Sequence, residues 1–213
     1  MDSRNEGPLM GYLTTTYVDE PDWLQTARAA GDAIHAGMQM SPYEAHLLGW
    51  FARLHGANHA LEIGTFMGAT ALRLAMAGAQ VTTLEASAKH AALARNHIAA
   101  SPHADAITVV EADALTWLRA QPHKPQYDVL FLDAEKRHYM DYLDAALPLL
   151  APHALIIADN TLLWGAVTGE KPDAAKPEAV EVMRAFNARL GNLTEFDGVL
   201  IPTAEGMTVA RRK

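Results

Sequence analysis

Two short clusters carry the clearest chemistry. Leu132-Asp133-Ala134-Glu135-Lys136 and Ala158-Asp159-Asn160 each close an apolar run. If those runs are neighbouring strands, their ends lie about 4.8 Å apart, and Asp133, Asp159 and the Asn160 carbonyl can meet at one point. Two carboxylates with no cation would repel each other, whereas two carboxylates and an amide oxygen suit a hard ion such as Mg2+. The plain alternative is that Asp159-Asn160 only opens a turn, which both residue types favour. Lys136 stands three residues past Asp133 at the expected start of a helix. The helix dipole disfavours a cation there, which hints at a task, although a solvated lysine is the simpler reading.

A second set of residues follows other apolar runs. Glu62-Ile63-Gly64-Thr65-Phe66-Met67-Gly68 places two glycines four apart, enough for a tight turn and close approach of a ligand. It is not the G-x-G-x-x-G of a dinucleotide fold, because residue 66 is Phe. Glu62 puts a carboxylate at the expected loop mouth, repelling a diphosphate and welcoming a cationic amino group. Glu85, about 20 residues on, suits both hydroxyls of a ribose. Asp113 suits an adenine amino group. Each acid could equally be a solvated strand-end cap; together, in this order, they favour S-adenosylmethionine.

The elements that must position these groups alternate in type. Strand-like runs cover 59–63, 80–85, 107–110, 127–132 and 154–158, with helical stretches at roughly 68–77, 88–101, 114–120 and 136–150. Short, nearly continuous apolar runs between helices predict a parallel α/β sheet with right-handed crossovers. A helix over 176–190 (Val180, Met183, Phe186 and Leu190 on one face) precedes two more strands, 193–202 and 206–211, which turn at Thr203-Ala204-Glu205 to form an antiparallel hairpin. Ahead of the first strand, helices are expected over 23–38 and from Ser41 onward, where Ser41-Pro42-Tyr43-Glu44 has a capping-box pattern and Leu47, Leu48, Phe51 and Leu54 make a stripe. The expectation is one domain over 1–213, with residues 1–58 as a helical cap.

Composition narrows the classes. The 213 residues carry 17 basic and 25 acidic side chains, a net charge of −8, which argues against a nucleic-acid partner. The absence of Cys excludes disulfides, thiolate metal sites and thiol nucleophiles. No apolar run reaches the roughly 18 residues of a membrane span, and the polar start lacks a signal segment; the expected location is the cytoplasm, without a membrane partner. Ten histidines show no H-E-x-x-H spacing and read as surface residues. The stretch 165–177 reads as a mobile flap.

Met40-Ser41-Pro42, Leu61–Gly68, Phe131-Leu132-Asp133-Ala134-Glu135-Lys136-x-x-Tyr139, Ala158-Asp159-Asn160 and the final strand with Gly206, Val209, Arg211 and Arg212 together resemble the cation-dependent class I O-methyltransferases, which include the catechol and caffeoyl-CoA enzymes. The resemblance runs from about residue 35 to the last strand and looks closer to the caffeoyl-CoA and bacterial branch. It implies a Rossmann-like, seven-stranded mixed sheet of five parallel strands plus a C-terminal hairpin, with helices on both faces. Asp133, Asp159 and Asn160 match the family's metal ligands, for Mg2+ or another divalent ion such as Mn2+ or Ca2+. Lys136 matches its general base, with a lowered pKa expected beside the metal. Met40, Glu62, Gly64, Thr65, Thr70, Glu85, Ala114, Asp133 and Glu135 match cofactor contacts, to which Asp113 is added on the argument above. Lys136, Asn160 and Trp164 are the expected substrate contacts, Trp164 by stacking or as a mere loop anchor. The implied acceptors are small ortho-dihydroxy aromatics, and the implied assembly is a homodimer. A caffeoyl-CoA thioester acceptor and an NAD-linked oxidoreductase stand as alternatives.

Overall fold

The structure, a computed structural model, describes residues 7–203 and 205–213. Its seven strands are β1 (His59–Ile63), β2 (Gln80–Glu85), β3 (Ile107–Glu111), β4 (Tyr127–Leu132), β5 (Leu150–Ala158), β6 (Phe196–Ile201) and β7 (Met207–Arg212). They form one mixed sheet in the order β3-β2-β1-β4-β5-β7-β6. The pairs β2–β3, β1–β4 and β4–β5 are parallel, while β7 runs antiparallel to both β5 and β6. The expected seven-stranded Rossmann-like architecture with a C-terminal hairpin is present. Val129, Leu130, Phe131 and Leu132 of β4 have no exposure, as a strand covered on both faces requires.

By contacts the chain divides into two compact units. The first comprises the residues up to Asn58 together with Thr65–Ala112. It holds helices α1 (Pro8–Tyr17), α2 (Asp22–Ile34), α3 (Pro42–His55), α4 (Ala69–Met76) and α5 (Ala88–Ala99), besides β2 and β3. Ser41 caps α3 by accepting from the Glu44 amide while Glu44 accepts from the Ser41 amide, closing the expected box. Gly49 lets α3 lie close against the Arg73 carbonyl of α4. A buried ion triad ties the unit together: Glu20 pairs with both Arg28 (3.3 Å) and Arg73 (2.9 Å).

The second unit comprises His59–Gly64 and Asp113–Lys213. It holds β1, β4 to β7 and helices α6 (Ala114–Ala120), α7 (Tyr139–Ala146) and α8 (Pro177–Leu190). Its core includes Tyr139, Leu143, Met183, Phe186 and Leu190, all fully buried.

Several expectations need correction. Helix α1 has no counterpart among the expected helices and carries no buried residue. The helix expected over 23–38 is α2 and stops at Ile34. Leu54 is 69% exposed and leaves the α3 stripe, whose buried residues are Glu44, Ala45, Leu48, Gly49 and Ala52. The 136–150 stretch is a single turn at Lys136–His138, then α7, then a second turn containing Pro148. Strand β5 starts earlier than the apolar run, at Leu150, because Ala151-Pro152-His153 interrupts the hydrophobic pattern but not the strand. The 193–202 strand is trimmed to β6, and Gly206, at φ +81°, precedes β7 as a turn residue. Of the expected turn, Ala204 lies outside the described residues.

Candidate active site

The strand register builds the centre of the second unit. Leu132 is aligned with Ala158, and the ladder runs on: the Asp133 amide donates to the Ile63 carbonyl (2.9 Å) and the Asp159 amide to the Leu132 carbonyl (3.0 Å). Gly64, Asp133 and Asp159 therefore leave the carboxyl ends of three successive strands. The sheet order reverses between β1 and β4, the switch point where open α/β sheets bind ligands.

Lys136 is drawn into this centre. Its Nζ donates to Asp133 Oδ1 (2.8 Å) and to the Tyr139 hydroxyl (3.0 Å). The Tyr139 hydroxyl lies within donating distance of two carbonyls, Leu132 (3.1 Å) and Asp159 (3.0 Å). Its single proton serves one at a time, and its lone pair receives the ammonium. Tyr139 is fully buried, and burial pushes its phenol up, keeping it protonated.

The lowered pKa expected for Lys136 belongs beside a metal; among the chain's own groups the shift runs the other way. Burial works to lower it, but the charges of Asp133 and Asp159 and the bond to Asp133 outweigh burial and raise it. The lysine is thus the cation that offsets the two carboxylates in the ligand-free chain.

Beyond Asp159 the backbone turns sharply. The Asn160 amide donates to Asp159 Oδ1 (2.8 Å), and Asn160, Leu163 and Trp164 all adopt positive φ (58°, 46°, 54°). Such conformations are costly for side-chain-bearing residues and must be held by neighbours. Thr161 and Leu162 donate their amides to the carbonyls of Gly206 and Glu205. The Asn160 side-chain amide donates to Glu205 Oε2, and the Trp164 indole donates to Glu205 Oε1 (2.6 Å). Trp164 is thereby anchored at its N–H edge. The sequence does not single out Glu205 as a site residue; it is distant in the chain and reads only as part of the hairpin turn ahead of Gly206. Among the described residues no three of His, Cys, Asp and Glu form a metal-binding group; the set at hand is two carboxylates and one carboxamide.

The remaining candidates in this unit fall as follows. Glu62 is fully buried within β1, which corrects its expected place at a loop mouth. Gly64 (φ +101°) is needed for a reason other than ligand approach, since a Cβ there would collide with the Asp133 carbonyl. Asp113 caps α6, its Oδ1 accepting from the Thr116 amide (2.8 Å) and hydroxyl (2.7 Å), with Ala114 as the first helical residue. Glu135 is exposed and 3.6 Å from Arg137.

In the first unit, both Glu85 oxygens are occupied by backbone donors, Oε2 by the Phe66 amide (2.8 Å) and Oε1 by the Ser87 amide (2.9 Å). That fixes the carboxylate and leaves lone pairs for further donors. Thr65 bonds Thr83 through their hydroxyls, and Thr70 lies in the first turn of α4. Met40, whose backbone is expected to meet the cofactor, accepts from Arg28 at its carbonyl (3.0 Å).

A parallel sheet whose order reverses between β1 and β4, with a glycine turn at the end of β1, is the frame of the nucleotide-binding α/β folds. A family model described as O-methyltransferase matches residues 15–213, so the chain belongs to that family. A protein named catechol O-methyltransferase from Mycobacterium tuberculosis is 33% identical over 196 residues, 90% of this chain and 87% of the relative. Another of that name, from Niastella koreensis, is 30% identical over 198 residues, 91% and 86% of the two chains. The crystal structure of the O-methyltransferase TomG from Streptomyces achromogenes, in complex with SAM, superposes with a TM-score of 0.86 at 27% identity, covering 100% of this chain and 99% of that one. The protein is an S-adenosylmethionine-dependent O-methyltransferase, which sets aside the NAD-linked oxidoreductase. No helix among the described residues is long and apolar enough to cross a membrane.

Proposed function

We propose that this enzyme moves a methyl group to one hydroxyl of a small ortho-dihydroxy aromatic with the aid of a divalent cation, Mg2+ or a similar ion such as Mn2+ or Ca2+. The observation that carries the reading is the aligned ends of β4 and β5, which set Asp133 beside Asp159-Asn160 with Lys136 Nζ 2.8 Å from Asp133. The donor chemistry fits: two carboxylates, and an amide whose nitrogen is engaged by Glu205, leaving its oxygen as the ligand. Asp133, Asp159 and Asn160 would hold the ion, which supplies a Lewis acid and a template for two vicinal oxygens. The catechol names of the two relatives support the same acceptor class.

Lys136 is the base in this reading, taking the acceptor's proton at Nζ. Asp133 favours the charged ammonium, so the role requires that carboxylate's charge to be engaged elsewhere. Tyr139 keeps Nζ in place. Glu85 accepts the ribose hydroxyls and Asp113, through Oδ2, the adenine amino group. Met40, Gly64, Thr65, Thr70, Ala114 and Glu135 complete the cofactor contacts. Trp164 offers its ring face to the aromatic acceptor. Positioning of nucleophile and methyl supplies most of the acceleration. The enzyme works as a cytoplasmic homodimer, with no nucleic-acid or membrane partner.

The test is transfer of label from methyl-labelled S-adenosylmethionine to caffeate or dihydroxybenzoate, with a monophenol as control. Label should appear on the ortho-diphenols alone, vanish with EDTA and return with Mg2+. Transfer undiminished by EDTA would overturn the metal; transfer confined to caffeoyl-CoA would overturn the small free acceptor.

A further inference from the structure

Glu205 is 1% exposed and joins two candidate site residues that are otherwise four apart in the chain. As a carboxylate it has no proton to give, so whatever faces it must donate. The Asn160 carboxamide therefore presents its NH2 to Oε2, and its carbonyl oxygen must point the other way. The Trp164 indole donates to Oε1, so one carboxylate sets the orientation of both side chains. The main chain reinforces this: Leu162 donates to the Glu205 carbonyl (2.8 Å) and Thr161 to that of Gly206 (2.9 Å). The fit is tight enough that a Cβ on Gly206 would come within 2.7 Å of the Leu162 nitrogen. The Asn160–Trp164 loop, with three positive-φ residues, is thus held against Glu205-Gly206 by two side-chain and two backbone bonds.

We propose that Glu205 is a positioning residue that selects the amide orientation of Asn160, turning its oxygen toward the cation, and separately pins the Trp164 indole. The inference rests on the assignment of Asn160 as a cation ligand. A neutral amide at 205 cannot accept at both ends: one of its faces becomes a donor, confronting either the Asn160 NH2 or the indole N–H.

The experiment titrates Mn2+ into the protein, following free Mn2+ by electron paramagnetic resonance, and measures S-adenosylhomocysteine affinity and tryptophan emission in parallel. Glu205→Gln should weaken Mn2+ binding about 10- to 100-fold, the usual effect of losing a group that orients a ligand, with S-adenosylhomocysteine affinity preserved and the emission of Trp164 shifted. Glu205→Asp, which keeps the charge on a shorter stem, should fall between wild type and Gln, and serves if the Gln variant folds poorly. Trp164→Phe should keep wild-type Mn2+ affinity, separating the amide from the loop. Equal Mn2+ affinity in wild type and Glu205→Gln would overturn the proposal. So would a parallel loss of Mn2+ and S-adenosylhomocysteine binding in Glu205→Gln and Trp164→Phe alike, the mark of a general prop. A wild type that binds no Mn2+ would instead overturn the cation reading, and this inference with it.

Discussion

Among the protein's own groups, Lys136 keeps its proton against the pull of burial, because the Asp133 and Asp159 carboxylates face it and Asp133 accepts its hydrogen bond. A side chain in that state is a counter-ion first and a base only when Asp133 is otherwise engaged. Replacing Lys136 with Met should lower kcat about 10²- to 10⁴-fold, the usual worth of a general base, with S-adenosylhomocysteine binding retained in calorimetry. Lys136→Arg should not rescue turnover, since a guanidinium cannot give up its proton. Asp133, Lys136, Asp159 and Asn160 were legible in the sequence because each stands at or just beyond the end of a continuous apolar run. Two things were hidden. The direction of the lysine's shift depends on Asp133 and Asp159 acting at once. Glu205 depends on a β7 pairing that brings residue 205 to residue 160.

At the level of elements, the strands were readable because burial on both faces writes them as unbroken apolar runs. Helix α1 was not, because none of its residues is buried. The β1–α4 turn was read with the right glycines and only part of the reason. Gly64 is required by the Asp133 carbonyl beside it as well as by its φ of +101°. Gly64→Ala should therefore lose about 1–3 kcal/mol from the backbone alone, with more from the collision, seen as a lower midpoint in thermal unfolding. In α3, His46 has its pKa lowered from 6.5, first by burial and then by Arg73 and Arg53. The unfolded chain then takes that proton more readily than the folded one. Stability is full above pH 6.5 and declines as the pH falls through the lowered value. His46→Gln should flatten that decline, as measured by thermal midpoints between about pH 7.5 and 5.5.

Across the whole molecule, the net charge of −8 disfavours a nucleic-acid partner, while several large apolar side chains are open to solvent: Leu9, Tyr12 and Tyr17 on α1, and Trp50 and Leu54 on α3. Exposed groups of this size mark association surfaces when they are contiguous. Light scattering behind size exclusion should give twice the 23.1 kDa chain mass, and charged replacements at Tyr12 and Trp50 together should halve it. A monomeric wild type would contradict the dimer. The sheet order was only partly legible: parallel strands follow from alternating strands and helices, but the insertion of β7 between β5 and β6 is a long-range choice that no local pattern announces.

That insertion has a consequence for the nascent chain. β5 can pair with β4 as soon as it is made, but its other edge and the inner edge of β6 stay unpaired until β7 is synthesised, because β7 bridges both. Glu205 and Gly206 directly precede it, so the loop bearing Asn160 waits without their bonds until that stretch is made. A chain cut before Glu205 would keep the β1 to β5 part of its sheet and lose the bonds that hold the Asn160–Trp164 loop.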